Sequence, residues 1–463
     1  EYRDAYNQDP ASVSDEWREY FGGDGSANGA GRSVQPSQQN APVADEAPEQ
    51  QAAPKPAPPK QVAPPKQAAP PKQAAPKQAP PKPAAANGET KAIRGIGAAI
   101  AENMEASLGV PTATSVRDVP AKLLEVNRGV INGHLGRTRG GKVSFTHIIG
   151  YAIVRAIADH HPDMAVTFSR DDDAKPQVTR HSDIGMGLAI DVERRGERLL
   201  MVPVIKGAQS MNFREFVDAY GDVVDRTMAN KLTVDDFQGA LVSLTNPGTI
   251  GTVLSVPRLM SGQSVIVGVG KLAYPTAYQG ADPETIANLG ISKVLTLTST
   301  YDHRVIQGAE SGSFLRTVER LLLGEEDFYR RIFADIGVPY VAVEWRQDSN
   351  PADHLGGLIQ KQMSIAMLVN MYRSRGHLIA ELDPLAAKIP EIHEELDPVT
   401  YGLTIWDLDR EFQTGPGSIY ASVGGQDRLP LSEILRVLRN AYCRTIGVEF
   451  MHMQEVEEKR WIQ

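Results

Sequence analysis

An α/β fold is predicted for the middle of this chain, set between a proline-rich linker and a helical C-terminal segment. Three observations carry the prediction. Residues 91–335 alternate apolar runs of strand length with longer stretches of helical period. Residues 42–83 hold fourteen of the 32 prolines, which excludes helix or sheet there. Beyond residue 340 the helical period returns at 354–372 and 431–442.

The chain has 463 residues, room for two or three domains. It opens on Glu1 and its pattern breaks off at Gln463, so it reads as a piece of a longer protein. Hydrophobic residues make up 41%, enough to bury a core. A net charge of −9 argues against a nucleic-acid binder, which would carry a basic face. The single cysteine, Cys443, cannot form an internal disulfide and fits a reducing cytoplasm. No apolar run is long enough to span a membrane, so the expected location is cytoplasmic.

Taken in order, residues 1–40 open on a short amphipathic stretch (Tyr2, Tyr6, Val13, Trp17, Tyr20, Phe21) that Gly22 and Gly23 stop. It is too short to fold alone and is expected to dock. Residues 41–90 repeat a Pro-Pro-Lys-Gln unit at 58–61, 64–67 and 70–73; this composition predicts a disordered, extended Ala/Pro/Lys/Gln spacer. Within 91–335, helices are expected at 93–104, 145–157, 211–229 and 310–323. Strands are expected at 184–190, 199–205, 241–245, 265–269 and 292–300. In the last, Val294, Leu295 and Leu297 alternate with Thr296, Thr298 and Thr300, which predicts a strand with unlike faces. Residues 336–463 begin a further, helical domain.

Two segments carry chemistry. Residues 300–308 read Thr-Tyr-Asp-His-Arg-Val-Ile-Gln-Gly and residues 243–251 read Ser-Leu-Thr-Asn-Pro-Gly-Thr-Ile-Gly. His303 falls just beyond a predicted strand, where a side chain faces a cleft and is held by the sheet. An imidazole with a pKa near ~6.5 accepts a thiol proton at neutral pH, and a thiol is a weak nucleophile until it becomes thiolate. Attack on a thioester puts charge on its oxygen. A hydroxyl aimed there lowers the barrier, by ~2.7–4 kcal/mol where such donors have been removed. Thr245, at a strand end before a Pro-Gly turn, is the candidate donor.

The segments 302–308, 244–251, 264–270, 187–191, 202–206 and 231–238 resemble, in order, the catalytic domain of dihydrolipoamide acyltransferases, which share the chloramphenicol acetyltransferase fold. The resemblance implies CoA as acyl acceptor, His303 as base, Thr245 as oxyanion donor, and Asp302, Asn246 and Gln307 as supporting residues. It also implies a trimer whose active site takes the His from one subunit and the hydroxyl from the next. Gln307 departs from the family pattern of His, three residues, then Asp-Gly; Gln keeps hydrogen bonds but not charge. No lysine lies in an Asp-Lys-Ala hairpin, so the acyl group is expected from a lipoylated acyltransferase subunit in trans. Arg258 is a candidate for the carboxylate of a succinyl group.

The C-terminal segments 372–377, 383–385, 446–452 and 461–463 resemble the start of a thiamine-dependent 2-oxoglutarate dehydrogenase component, and residues 9–17 resemble its docking N-terminus. Together these parts resemble the actinobacterial family of multifunctional 2-oxoglutarate metabolism enzymes. That likeness implies thiamine diphosphate and magnesium for the full protein, with dihydrolipoamide dehydrogenase and a forkhead-associated regulator as partners. No residue here is assigned to thiamine or metal. Gly23-Asp24-Gly25 has the letters of a diphosphate motif in the wrong setting, and His377, among arginines, reads as structural. No Walker loop, dinucleotide fingerprint or metal-spaced Cys/His cluster occurs; His160 and His161 are adjacent and are expected to end a helix before Pro162. The expected activity is transfer of a succinyl group from dihydrolipoamide to CoA. The rival reading is a catalytically inactive trimeric scaffold, for which Gln307 is the best argument.

Overall fold

A computed structural model describes residues 92–462, apart from 94, 139, 195–196, 349–354, 384, 386–389 and 415–425. The expectations for the N-terminal docking segment and the proline linker lie outside the described residues. Residues 88–463 form one compact unit.

Helix α1 (Ile96–Ser107) leads into strand β1 (Thr112–Pro120) and helix α2 (Lys122–Arg137). The sequence concealed α2, because Gly129, Gly133 and Gly136 lower its helix propensity. Helix α3 (Phe145–Arg155) opens on a reciprocal cap. Ser144 Oγ accepts the His147 N–H at 3.1 Å and His147 Nδ1 accepts the Ser144 N–H at 3.3 Å. A π-helical turn, Ala156–His160, then closes the helix before Pro162, as the adjacent histidines suggested. His160 reaches Glu326 and His161 reaches Thr317.

A hairpin of β2 (Val166–Arg170) and β3 (Pro176–Arg180) follows, then β4 (Met186–Leu188), β5 (Ile190–Arg194), β6 (Glu197–Met201) and β7 (Val204–Ile205). The two long strands expected at 184–190 and 199–205 are each broken. Their outer parts, β5 and β6, pair with each other as a separate hairpin, while β4 and β7 stay in the main sheet. Helix α4 (Phe213–Met228) is capped by Asn212 and Glu215, which exchange backbone hydrogen bonds of 3.0 and 2.9 Å. It buries Phe213, Phe216 and Val223. Strands β8 (Val242–Thr245), β9 (Val265–Val269) and β10 (Val294–Asp302) come next, with helix α5 (Pro283–Leu289) between β9 and β10. Helices α6 (Gly308–Leu322) and α7 (Phe328–Ile336) complete the α/β part.

The main sheet has six strands in the order β1-β10-β9-β8-β4-β7. β8 runs parallel to both β9 and β4, and the other pairs are antiparallel. Such a mixed sheet needs cover on both sides of its central strands. Helix α6 lies against β1, and α3 packs on α6 and α4. A Cβ on Gly150 of α3 would meet Leu244 of β8 at 3.2 Å and Phe216 of α4 at 3.3 Å, so glycine there lets helix and sheet approach closely. β10 has the unlike faces its sequence predicts, Leu295 and Leu297 in the core on one side and threonines on the other, but beyond Leu297 both faces are buried. Thr298, Ser299 and Thr300 are all buried, because helix α6 and the loop after β8 cover opposite sides. Their hydroxyls are satisfied locally. Thr298 Oγ1 donates to Ser255 O at 2.9 Å, the Ser299 and Ser311 hydroxyls lie 3.0 Å apart, and those of Thr300 and Thr114 lie 2.8 Å apart.

The C-terminal part holds α8 (Leu355–Arg375), a small hairpin of β11 (Glu411–Gln413) and β12 (Arg428–Pro430), α9 (Leu431–Tyr442) and α10 (Val456–Ile462). α9 buries Leu431, Ile434, Leu435 and Leu438, the i, i+3, i+4, i+7 stripe its sequence shows. This part is joined to the α/β part by specific polar contacts. The Asn127 side chain bonds Val343 O at 3.0 Å and Val343 N at 2.9 Å. Lys122 of α2 pairs with Asp409. No described helix is long and apolar enough to cross a membrane.

Candidate active site

His303 follows β10 directly, as the sequence predicted. Its backbone N–H donates to Pro111 O at 2.9 Å, across from the start of β1. The chain then turns sharply. Val305 N and Ile306 N both donate to Asp302 O, at 3.1 and 3.0 Å, and the Ile306 side chain is fully buried. That anchor brings the Ile306 carbonyl back to the imidazole, 3.1 Å from Nδ1. A carbonyl can only accept, so Nδ1 carries the proton in the neutral ring. Nε2 is left with its lone pair. The ring is exposed and lies edge-on to Tyr301, with centroids 5.6 Å apart. It is therefore oriented on one side and open on the other.

Asp302 is 3% exposed and faces away from this role. Arg304 donates to both its carboxylate oxygens, Nε to Oδ1 at 2.8 Å and Nη2 to Oδ2 at 2.6 Å. The Arg304 guanidinium in turn lies 3.9 Å above the Phe168 ring. This pair braces the turn that carries His303. Phe168, on the β2–β3 hairpin, and the Ile306 carbonyl were not legible in the sequence. A backbone acceptor has no residue signature, and Phe168 is remote along the chain.

Gln307 is the N-cap position of α6 and is exposed. Its backbone N–H donates to the Glu310 carboxylate at 2.7 Å. The orientation of the His303 ring comes from Ile306, so the departure at 307 leaves it in place.

Thr245 ends β8 and is half-buried. Asn246 donates from Nδ2 to the Thr146 hydroxyl at 2.8 Å, tying this turn to the start of α3. The Pro-Gly turn packs backbone on backbone. A Cβ on Gly248 would stand 2.2 Å from Gly270 O, and one on Gly270 would stand 2.0 Å from Val253 O. This is why the motif needs glycine at both places.

The register sets Thr245 and His303 far apart within one chain. Thr245 pairs with Gly268, and Gly268 pairs with Thr298. His303 lies five residues further along and two strands across. At 3.3–3.4 Å per residue and 4.7–4.9 Å per strand, the separation is roughly 20 Å. One copy of the chain does not bring the two groups together.

Arg258 is exposed. Its neighbour Leu259 is fully buried with Val110 and Ile266, and Pro111 beside Val110 holds the His303 N–H. Arg258 thus lies toward the His303 end of the sheet. Among the described residues, no group of three or more His, Cys, Asp or Glu could hold a metal ion. His377 has a buried Nδ1 without a hydrogen-bond partner and an Nε2 4.0 Å from Glu449, away from the site.

Residues 85–328 match the model of the 2-oxoacid dehydrogenases acyltransferase (catalytic domain) family. The multifunctional 2-oxoglutarate metabolism enzyme of Mycobacterium sp. (strain JLS) is 51% identical over 385 residues, 82% of this chain and 29% of that protein. The 2-oxoglutarate dehydrogenase E1/E2 component of Corynebacterium glutamicum is 49% identical over 463 residues, 99% of this chain and 37% of that protein. The chain thus spans well under half the length of these relatives. Among solved structures, a probable dihydrolipoamide acetyltransferase from Listeria monocytogenes aligns with a TM-score of 0.44 at 22% identity, covering 52% of this chain and 96% of that one.

Proposed function

Because the chain belongs to the family of 2-oxoacid dehydrogenase acyltransferase catalytic domains, we propose that it transfers a succinyl group from dihydrolipoamide to CoA, with His303 as the base. The observation that carries this reading is the Nδ1–H bond to the Ile306 carbonyl, which leaves Nε2 of an exposed ring free to take a proton. In the proposed step Nε2 removes the CoA thiol proton. The thiolate attacks the thioester carbon of succinyl-dihydrolipoamide. The tetrahedral oxyanion accepts a hydrogen bond from Thr245 of a neighbouring copy. Collapse expels the dihydrolipoamide sulfur, which recovers the proton from His303. Asp302 and Arg304 hold the turn, Asn246 holds the Thr245 turn, and Arg258 meets the distal succinyl carboxylate as a charge-assisted partner.

The choice of a succinyl group rests on the names of the actinobacterial relatives. The full protein would add the 2-oxoglutarate dehydrogenase reaction with thiamine diphosphate and magnesium. A lipoylated acyltransferase subunit would supply the acyl group, dihydrolipoamide dehydrogenase would reoxidise the lipoyl dithiol, and a forkhead-associated regulator would act on the whole. The acyltransferase parts would assemble as a trimer. In domain terms we assign 91–335 to the acyltransferase and 336–463 to the start of the dehydrogenase.

The test is CoA succinylation with succinyl-dihydrolipoamide. His303→Ala is expected to lose about 10²–10⁴-fold in rate, the range for a removed general base, with little change in melting temperature because the ring is exposed. Full activity in that variant would sink the assignment of His303 as the base, whereas absence of transfer and of CoA binding by the unsubstituted chain would leave the scaffold reading.

A further inference from the structure

A cavity of about 540 Å³ lies where helix α2 of the α/β part meets residues 393–409 and 432–439 of the C-terminal part. Val130, Leu396, Leu403 and Ile405 contribute apolar wall, and Arg137, Tyr340, Asp397 and Arg439 contribute polar groups. The volume is that of a small-molecule site.

The charges around it do not balance. Lys122 is paired with Asp409, Lys293 with Glu125 at 2.7 Å, and Arg436 with Glu433. Arg137 and Arg439 form no ion pair among the described residues. Arg137 Nη2 reaches only the Tyr340 hydroxyl, at 3.3 Å, and its Nε is buried with no hydrogen-bond partner. Arg439 Nε reaches only the Tyr372 hydroxyl, at 3.2 Å. Both guanidinium carbons lie over the Tyr340 ring, at 5.9 and 4.3 Å from its centroid. Aromatic faces attract cations but do not neutralise them.

The other groups nearby offer little compensation. Burial pushes the Tyr340 and Tyr372 hydroxyls up and the Cys443 thiol up to about 11, so all three are neutral at pH 7. Asp397 accepts the Val399 N–H at 3.0 Å and forms no ion pair among the described residues; burial pushes its carboxyl up, opposed by that hydrogen bond and by Arg439. Two cations against at most one anion leave a net positive charge in a half-enclosed, largely apolar space. A buried charge without a partner is costly, and paired guanidiniums suit a carboxylate or phosphoryl group.

We propose that this cavity binds a small organic anion, its carboxylate or phosphoryl head between Arg137 and Arg439 and its apolar body against α2 and α9. Such a ligand ties the acyltransferase fold to the helices that follow it. The site is separate from the His303 turn and does not depend on the acyl-transfer reading.

Isothermal titration of the 463-residue chain with benzoate, phenyl phosphate and neutral benzamide tests it. One-site saturable binding of benzoate or phenyl phosphate is expected, without binding of benzamide. Preference for benzoate assigns a carboxylate head; preference for phenyl phosphate assigns a phosphoryl head. Affinity is expected to fall at least about tenfold in Arg137→Met and in Arg439→Met, each of which removes one charge-assisted contact. If Arg439→Met fails to fold by circular dichroism, Arg137→Met, at the half-buried C-terminal end of α2, decides. Equal binding of benzamide, absence of saturable binding by both anions, or unchanged affinity in a folded variant would each overturn the proposal.

Discussion

If the acyl-transfer site forms between copies, two inactive variants should restore each other. The strand register separates Thr245 from His303 by roughly 20 Å within one chain, so a working pair needs the His of one copy and the hydroxyl of the next. His303→Ala retains an intact Thr245, and Thr245→Ala retains an intact His303. Alone, His303→Ala is expected to lose about 10²–10⁴-fold from the lost base, and Thr245→Ala about 10²–10³-fold from the lost oxyanion donor. In a cyclic assembly with head-to-tail interfaces, random mixing at equal amounts puts an intact His beside an intact Thr at about one interface in four. Co-expressed variants should therefore recover about a quarter of wild-type CoA succinylation, far above either parent. The assay is the succinylation rate per chain after co-expression with two purification tags. Activity of the mixture no higher than the average of its parents would refute the reasoning, because it would place both groups in one protomer or remove Thr245 from the reaction.

Three further outcomes follow from the same geometry. Arg258→Met should lower the rate with succinyl-dihydrolipoamide about tenfold or more relative to acetyl-dihydrolipoamide, since one charge-assisted hydrogen bond is lost only with the longer substrate; an equal effect on both would remove Arg258 from substrate binding. His147, at the start of α3, is held to about 4 by burial, against an ordinary 6.5. Its neutral ring favours the folded state above pH 6.5, and that stability is lost as pH falls through about 4. The full loss is at most about 3 kcal/mol, and in His147→Gln the steepness of acid unfolding between those values should diminish. Ile153→Ala removes a fully buried side chain from α3 and should cost about 2–5 kcal/mol in urea unfolding; a loss under 1 kcal/mol would mean that this part of the core collapses around the gap.

Much of this architecture was already present in local pattern. The apolar run 265–269 became β9 with those bounds, and the leucine stripe of 431–442 became α9 with those bounds, because each is a short element whose period matches its burial. The Asp-His-Arg and Thr-Asn-Pro-Gly segments marked both turns that carry candidate chemistry, since turn residues and reactive side chains are chemically distinctive. Other features had no such local mark. Whether Thr298 and Thr300 face solvent depends on what lies over β10, and Ser255 and Thr114 come from remote segments. The glycines of α2 weakened its local signal, and packing overrode them. The proton on His303 Nδ1 is decided by a carbonyl, which every residue possesses. The uncompensated pair Arg137 and Arg439 stands 302 positions apart in the chain and meets only at Tyr340. Sequence alone settled elements such as β9 and α9 and marked the residues with candidate chemistry, because those follow from period and side-chain type. Tertiary structure settled which hydroxyls are buried, which nitrogen is free and which charges lack partners, because these are properties of neighbours that folding brings from far away.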